Sequence, residues 1–189
     1  IIMELGSKGS LFEYLEKVRT GLSDAPINNT IRQKILVGIS RGMIYLHQHN
    51  IIHCNLKPGH ILLDEDFHPQ ITDIGLHTSY ESNNSRSSIY MAQEVIEGTK
   101  YTRKSDVYSF GIIMYDVITG IYPYRLLQSK KLSPLKFNNM VVDNNYRPEF
   151  TVPVKKSIKN LIEKCWSKDP SQRPTFEYIF KKLTYNIIS

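Results

Sequence analysis

Between two apolar runs, residues 53–60 read His-Cys-Asn-Leu-Lys-Pro-Gly-His, and an Asp-Ile-Gly triplet follows at 73–75. Polar side chains gathered between apolar segments in this way are what an active-site loop requires. The types present set limits on the chemistry. Asn55 can orient a hydroxyl through its amide oxygen, but it has no useful basicity and no charge. His60 offers a nitrogen, whereas a hard cation such as Mg²⁺ calls for oxygen. Asp73 ahead of Gly75 also suits a simple turn, and Lys57 in a polar loop is otherwise unremarkable.

Several helices and one hairpin must hold this loop. Residues 10–19, SLFEYLEKVR, place Leu11, Leu15 and Val18 on one helical face behind a Ser10 N-cap. A longer helix is expected from about Thr30 to Gln48, with Ile31, Ile35, Ile39, Met43 and Leu46 as its apolar stripe. HILL and PQIT read as two short strands joined by the turn DEDFH. Residues 77–88 form a polar stretch without periodicity, either a functional loop or a connector. SDVYSFGIIMYDVITG, apolar nearly all round, reads as a buried central helix with a Ser/Asp cap, ending at Gly120. A short helix is expected near Leu135 in a Pro- and Asn-rich stretch. Two amphipathic helices then place Ile158, Leu161, Ile162 and Cys165, and Phe176, Ile179, Phe180 and Leu183, on their inner faces. The sum is a mainly α (α+β) domain with one small β-hairpin region.

Whole-chain properties fit that plan. At 189 residues the chain makes one sizeable domain, and 41% hydrophobic with 22% charged residues is ordinary globular composition. The net charge of +6 comes from scattered pairs such as Lys130-Lys131 and Lys155-Lys156, which reads as a solvated surface and not a nucleic-acid stripe. Cys54 and Cys165 provide neither metal spacing nor a disulfide framework, so reduced thiols in a cytoplasmic setting are expected. The longest apolar run contains Asp116 and is too short and polar to span a bilayer, and no basic-then-apolar signal opens the chain.

Six stretches in order resemble the protein kinase superfamily. IIMELGSKGSLFEYL is similar to the hinge and the helix after it, and HCNLKPGHILL to the catalytic loop H-R-D-L-K-P-x-N. DIG resembles D-F-G, YMAQEVI the A-P-E segment, KSDVYSFGIIMYDVITG the buried central helix, and CWSKDPSQRPTF the late-helix signature. The Lys-Pro after the loop leans towards Ser/Thr and tyrosine-kinase-like members. The resemblance covers essentially all of residues 1–189 and implies the hinge and larger lobe of the kinase fold. No G-x-G-x-x-G occurs, so by alignment the Gly-rich loop and strand lysine of the smaller lobe are expected to precede Ile1.

The resemblance also assigns roles. Asn55 stands at the proton-acceptor Asp, His60 at the metal-binding Asn, and Asp73 at the metal-binding Asp of D-F-G, while Lys57 meets the transferred phosphate. Met3, Glu4, Gly6, Ser10 and Leu62 fall at the adenine side of the nucleotide site, with Met3 as gatekeeper and Leu62 as floor. Structural roles go to His53 beneath D-I-G, Ser87 bracing the catalytic loop, Asp106 holding that loop's backbone, and Glu94 paired with Arg173. Three further departures concentrate at the site. Cys54 replaces the Arg that docks a phosphorylated activation loop, Ile74 replaces Phe, and Gln93 replaces the Pro of A-P-E and is expected to free the local backbone.

Chemistry is therefore damaged where scaffold is intact. The expectation is a pseudokinase-like signalling module acting through protein partners, with weak use of ATP and Mg²⁺ and neither needed for folding. The alternative is an active Ser/Thr or tyrosine-kinase-like enzyme acting on protein substrates. No membrane or nucleic-acid partner is expected.

Overall fold

The computed structural model describes residues 6–23, 26–75, 89–124 and 132–185. Among them the regular structure is helical apart from one antiparallel hairpin. Met3, Glu4 and Ser87 lie outside the described residues, as do residues 77–88 as a whole.

Helix α1 (Leu11–Thr20) begins as expected at Ser10, whose hydroxyl accepts from the Glu13 N–H while the Glu13 side chain accepts from the Ser10 N–H. This reciprocal capping box fixes the entry to the helix. Gly21, in the left-handed region at φ 72°, closes it. Helix α2 (Asn29–Gln48) is capped by Asn28 and buries Ile35, Leu36, Ile39, Met43 and Leu46. Ile31 is only partly covered.

Strands β1 (Ile61–Leu63) and β2 (Pro69–Ile71) pair with Leu62 opposite Gln70. The hairpin sits on α2 at very close range. A Cβ on Gly38 would lie 2.5 Å from the Pro69 ring, so only glycine permits the approach. An isolated bridge joins Ser10 to Leu62, which seats the start of α1 on the hairpin.

Helix α3 (Gln93–Ile96) is one turn that periodicity had not marked. Helix α4 (Arg103–Thr119) is the centre of the lobe: every residue from Ser105 to Val117 is buried. It starts two residues before the expected Ser/Asp cap. Thr102 is the N-cap, and Ser105 completes its capping box from inside the helix. This displacement releases the Asp106 carboxylate from capping its own helix. Gly120 ends α4 in the left-handed region, as expected.

Helices α5 (Pro134–Val142), α6 (Lys156–Cys165) and α7 (Phe176–Tyr185) complete the lobe. Helix α6 packs on α4 where a Cβ on Gly111 would lie 2.8 Å from that of Cys165. Helix α7 packs on α2 and buries Phe176, Ile179 and Leu183. Phe180 is only partly covered and lies under the Arg41 guanidinium, 5.5 Å from ring centroid to Cζ. Each large aliphatic or aromatic side chain in this shared core contributes about 1.5–3 kcal/mol of transfer free energy.

Buried charges follow the rule that each is paired. Arg19 on α1 donates to the Asp116 carboxylate and, at 3.0 Å, to the Gly120 carbonyl, tying α1 to the end of α4. Burial pushes the Asp116 carboxyl up to about 7, and the Arg19 charge only partly offsets it.

Candidate functional site

The catalytic-loop candidates are held from below by one carboxylate. Asp106 Oδ2 accepts from the His53 N–H at 3.0 Å and stands 2.9 Å from His47 Nε2, while Oδ1 accepts from the Cys54 N–H at 3.1 Å. Three donors converge on a side chain that is 1% exposed. Two of them are backbone groups of the loop, so Asp106 sets its position. Cys54 bends the chain here at φ 68°, a strained value for a residue with a Cβ.

His53 is fully buried. Its Nδ1 accepts from the Asn55 N–H at 3.3 Å, which leaves the ring proton on Nε2. Burial lowers its pKa, so the ring is neutral near pH 7. The His53 carbonyl accepts from the Gly75 N–H at 3.0 Å, which places His53 beneath the D-I-G turn. Burial and the nearby Asp106 raise the Cys54 thiol, so this cysteine is not an activated nucleophile.

Asn55, His60 and Asp73 come together above this base, and the Lys57 carbonyl accepts from the His60 N–H at 2.9 Å. Lys57 precedes the 3-10 turn Pro58–His60, and His60 leads directly into β1. The His60 ring donates from Nδ1 to the Asn55 carbonyl at 3.0 Å and lies nearly parallel to His53, with centroids 6.4 Å apart. Its Nε2 stands 4.0 Å from Asp73 Oδ2. The Thr72 hydroxyl donates to the same Asp73 oxygen at 3.0 Å, and the Thr72 N–H donates to the His60 carbonyl. Asp73 adopts φ 57°, which turns its half-exposed carboxylate towards His60. Ile74 beside it is 40% exposed.

This donor set does not fit Mg²⁺. It offers one carboxylate and one imidazole nitrogen, and the described residues contain no group of three His, Cys, Asp or Glu able to hold a metal. At the positions expected to face adenine, Gly6 approaches the hairpin so closely that a Cβ would lie 2.8 Å from that of Leu62. Ser10 bridges the same strand, so Gly6, Ser10 and Leu62 form one wall.

The scaffold pair lies at the far end of the activation segment. Arg173 meets Glu94 through two parallel bonds, 2.6 Å to Oε1 and 2.8 Å to Oε2, and the Ser105 hydroxyl donates to Oε1. Arg173 also donates to the carbonyls of Ser167 and Lys104. Burial pushes the Glu94 carboxyl up, but Arg173 outweighs it and holds the group below its usual value.

Three partners escaped the sequence. Gln93, expected to free the local backbone, is buried, and its side-chain carbonyl accepts from Arg147 at 2.7 Å, a contact that a Pro could not make. His47 supports Asp106 four residues after Met43 on the apolar face of α2, a spacing that was the available signal. Thr72 had no signal of its own.

The family model for the protein kinase domain matches residues 1–183. The chain belongs to the protein kinase superfamily. This kinase domain is 33% identical over 97% of its length to a probable serine/threonine-protein kinase of Dictyostelium discoideum, of which it covers 14%. It is 34% identical to a serine/threonine/tyrosine-protein kinase of Arabidopsis thaliana, covering 97% of this chain and 46% of the relative. A serine/threonine-protein kinase of the same plant is 33% identical over 97% of this chain and 31% of its own length. The chain thus spans less than half the length of these relatives. Protein kinases in general use ATP and Mg²⁺ and act on protein substrates, and the helical lobe with its two-stranded sheet is that of a kinase. Among the described residues no helix is long and apolar enough to cross a membrane.

Proposed function

We propose that this kinase domain is a pseudokinase: a signalling module that keeps the larger lobe of the fold as an interaction platform and transfers phosphate feebly or not at all. The observation that carries the reading is the His60 ring. It is anchored to the Asn55 carbonyl and faces Asp73 across 4.0 Å, where an oxygen ligand belongs. Asn55, at the proton-acceptor position, cannot take a proton from a substrate hydroxyl, and loss of general-base assistance costs roughly 10²–10⁴-fold. Cys54 carries no positive charge to receive a phosphorylated activation loop. Residues 1–189 are read as hinge and larger lobe, with reduced Cys54 and Cys165 in a cytoplasmic setting.

Nucleotide contact on this reading is confined to the adenine wall of Gly6, Ser10 and Leu62, together with Met3 and Glu4, which the resemblance assigns to the same site. Binding of ATP is accordingly weak, and Mg²⁺ adds little. A second reading, an active Ser/Thr or tyrosine-kinase-like enzyme, draws on Lys57 and Asp73, which keep their kinase identities. Thermal unfolding separates the two. A ligand at 100 times its dissociation constant stabilises by about 2.7 kcal/mol. The pseudokinase reading expects a small shift with millimolar ATP that Mg²⁺ leaves unchanged. A large shift that requires Mg²⁺ and disappears in Asp73→Ala supports the enzyme instead.

A further inference from the structure

Asp116 is a buried carboxylate that the candidate site leaves unused. It sits near the end of α4, 1% exposed, and two other elements reach it. Arg19 on α1 donates to Oδ1, and the Tyr90 hydroxyl, from the chain ahead of α3, donates to Oδ2 at 3.4 Å. Tyr90 is itself buried, and its carbonyl accepts from the Ser109 hydroxyl of α4 at 2.8 Å. Burial and the neighbouring Asp116 keep its phenol protonated, so it remains a donor. Arg19 has a second acidic partner. It also donates to Glu16, one turn back on α1, whose side chain is 45% exposed. The guanidinium lies 5.5 Å from the Tyr122 ring centroid. Beside Asp116 on α4, the Tyr115 hydroxyl donates to the Glu149 carbonyl. From α2, Arg32 donates to the adjacent Val117 carbonyl at 3.1 Å. Helix α6 meets α4 through Cys165 at Gly111, more than a turn away. Among the described residues, then, one guanidinium is shared between an inner carboxylate and an outer one.

We propose that Arg19, Asp116 and Tyr90 form a proton-operated latch between α1 and the end of the activation segment. With Asp116 ionised the latch is closed: Arg19 is held inward, and Tyr90 bonds the same carboxylate. When Asp116 takes a proton from solvent the inner ion pair is lost. Arg19 then keeps Glu16 and the Gly120 carbonyl, and α1 loses its tie to Tyr90 through the shared carboxylate. The working range comes from burial, which pushes the Asp116 carboxyl up to about 7; Arg19 and the Tyr90 hydroxyl oppose the shift, and Glu16 adds to it. In an unfolded chain an Asp titrates at about 3.9. Between these values the folded protein holds a proton that the unfolded chain lacks. This contribution to stability is complete below the unfolded value and is lost as pH rises through the folded one. Helix α1 also carries the cap Ser10, which bridges Leu62, so the latch couples that wall to the segment bearing Glu94. It uses neither Asn55 nor His60 nor Asp73. A working kinase would carry it as readily as a pseudokinase, so the inference goes beyond the catalytic reading and fails separately from it.

The test is a carbon-13 NMR titration of the side-chain carboxyls of the whole protein, with the Arg19 Nε and Tyr90 ring signals followed in the same samples. One aspartate is expected to titrate near neutral pH, and the Arg19 and Tyr90 signals to move with the same midpoint. Glu16→Gln, at a half-exposed position, removes the outer partner of Arg19 and should lower that midpoint by roughly half a unit. Tyr90→Phe removes a donor to the ionised form and should raise it. Asp116→Asn should abolish the movement of the Arg19 signal. The assignment is overturned if every aspartate titrates in the ordinary carboxyl range, if the Arg19 and Tyr90 signals do not follow the neutral titration, or if Glu16→Gln and Tyr90→Phe leave its midpoint in place. If Asp116→Asn fails to fold, the parent titration and Glu16→Gln decide.

Discussion

Glu94 and Asp73 are both carboxylates of the activation segment, and they are treated in opposite ways. Glu94 is clamped by a doubly bonded guanidinium and a serine hydroxyl, and its partner Arg173 is itself held by two carbonyls. Asp73 is half exposed, takes one hydroxyl from Thr72, and faces a histidine across a gap too long for a hydrogen bond. Where the carboxylate serves the fold, every donor is in place. Where it would serve phosphate chemistry, its neighbour is the His60 imidazole in place of the oxygen ligand of other kinases. Stability and catalysis draw on separate groups here, so one can be intact while the other is impaired.

That contrast can be broken from the scaffold side. Arg173→Ala should lower the unfolding free energy by about 3 kcal/mol, since it strands the partly buried Glu94 carboxylate and removes a fully buried guanidinium that holds two carbonyls, whereas His60→Asn should leave it within about 1 kcal/mol. Urea denaturation of both variants measures this. Comparable losses would mean that the site is part of the scaffold after all.

The same pair carries a pH signature. The Glu94 carboxyl is held below its unfolded value, so its contribution is complete above about pH 4.3 and is lost as pH falls through the lower folded value. Denaturation across the acid range should therefore show a steeper stability loss in the parent than in Arg173→Ala. Parallel curves would deny the coupling.

Smaller effects grade the rest. Gln93→Ala removes one of several bonds to Arg147, which also donates to the Trp166 and Tyr146 carbonyls, so a loss of about 1 kcal/mol is expected in the same denaturation. The exposed pair Lys159–Glu163, 3.9 Å apart on α6, marks the floor of the scale: Lys159→Ala should cost less than about 0.5 kcal/mol.

How far these regions were legible in the sequence follows from the range of the interactions. Helix faces show in local spacing, so the stripes of α2, α6 and α7 appeared almost as found, and Ser10 and Gly120 marked their helix ends. The true start of α4 did not show, because Thr102 and Ser105 are both good N-cap residue types, and Ser105 instead serves the Thr102 capping box from inside the helix. The Gln93 contact did not show either: its partner Arg147 lies 54 residues away, and no local pattern reports a bond at that separation. The replacements at 55 and 60 were visible as residue types. The anchoring of His60 on the Asn55 carbonyl was not, since it depends on the 3-10 turn that carries the ring back over the loop.

The most direct test is the rate of phosphate transfer from ATP by the whole protein, measured for the parent, for Asp73→Ala, and for the double variant Asn55→Asp with His60→Asn. The account predicts a parent no faster than Asp73→Ala and a double variant faster by roughly 10²-fold or more. Brisk, Asp73-dependent transfer by the parent, left unimproved by the double variant, would contradict it.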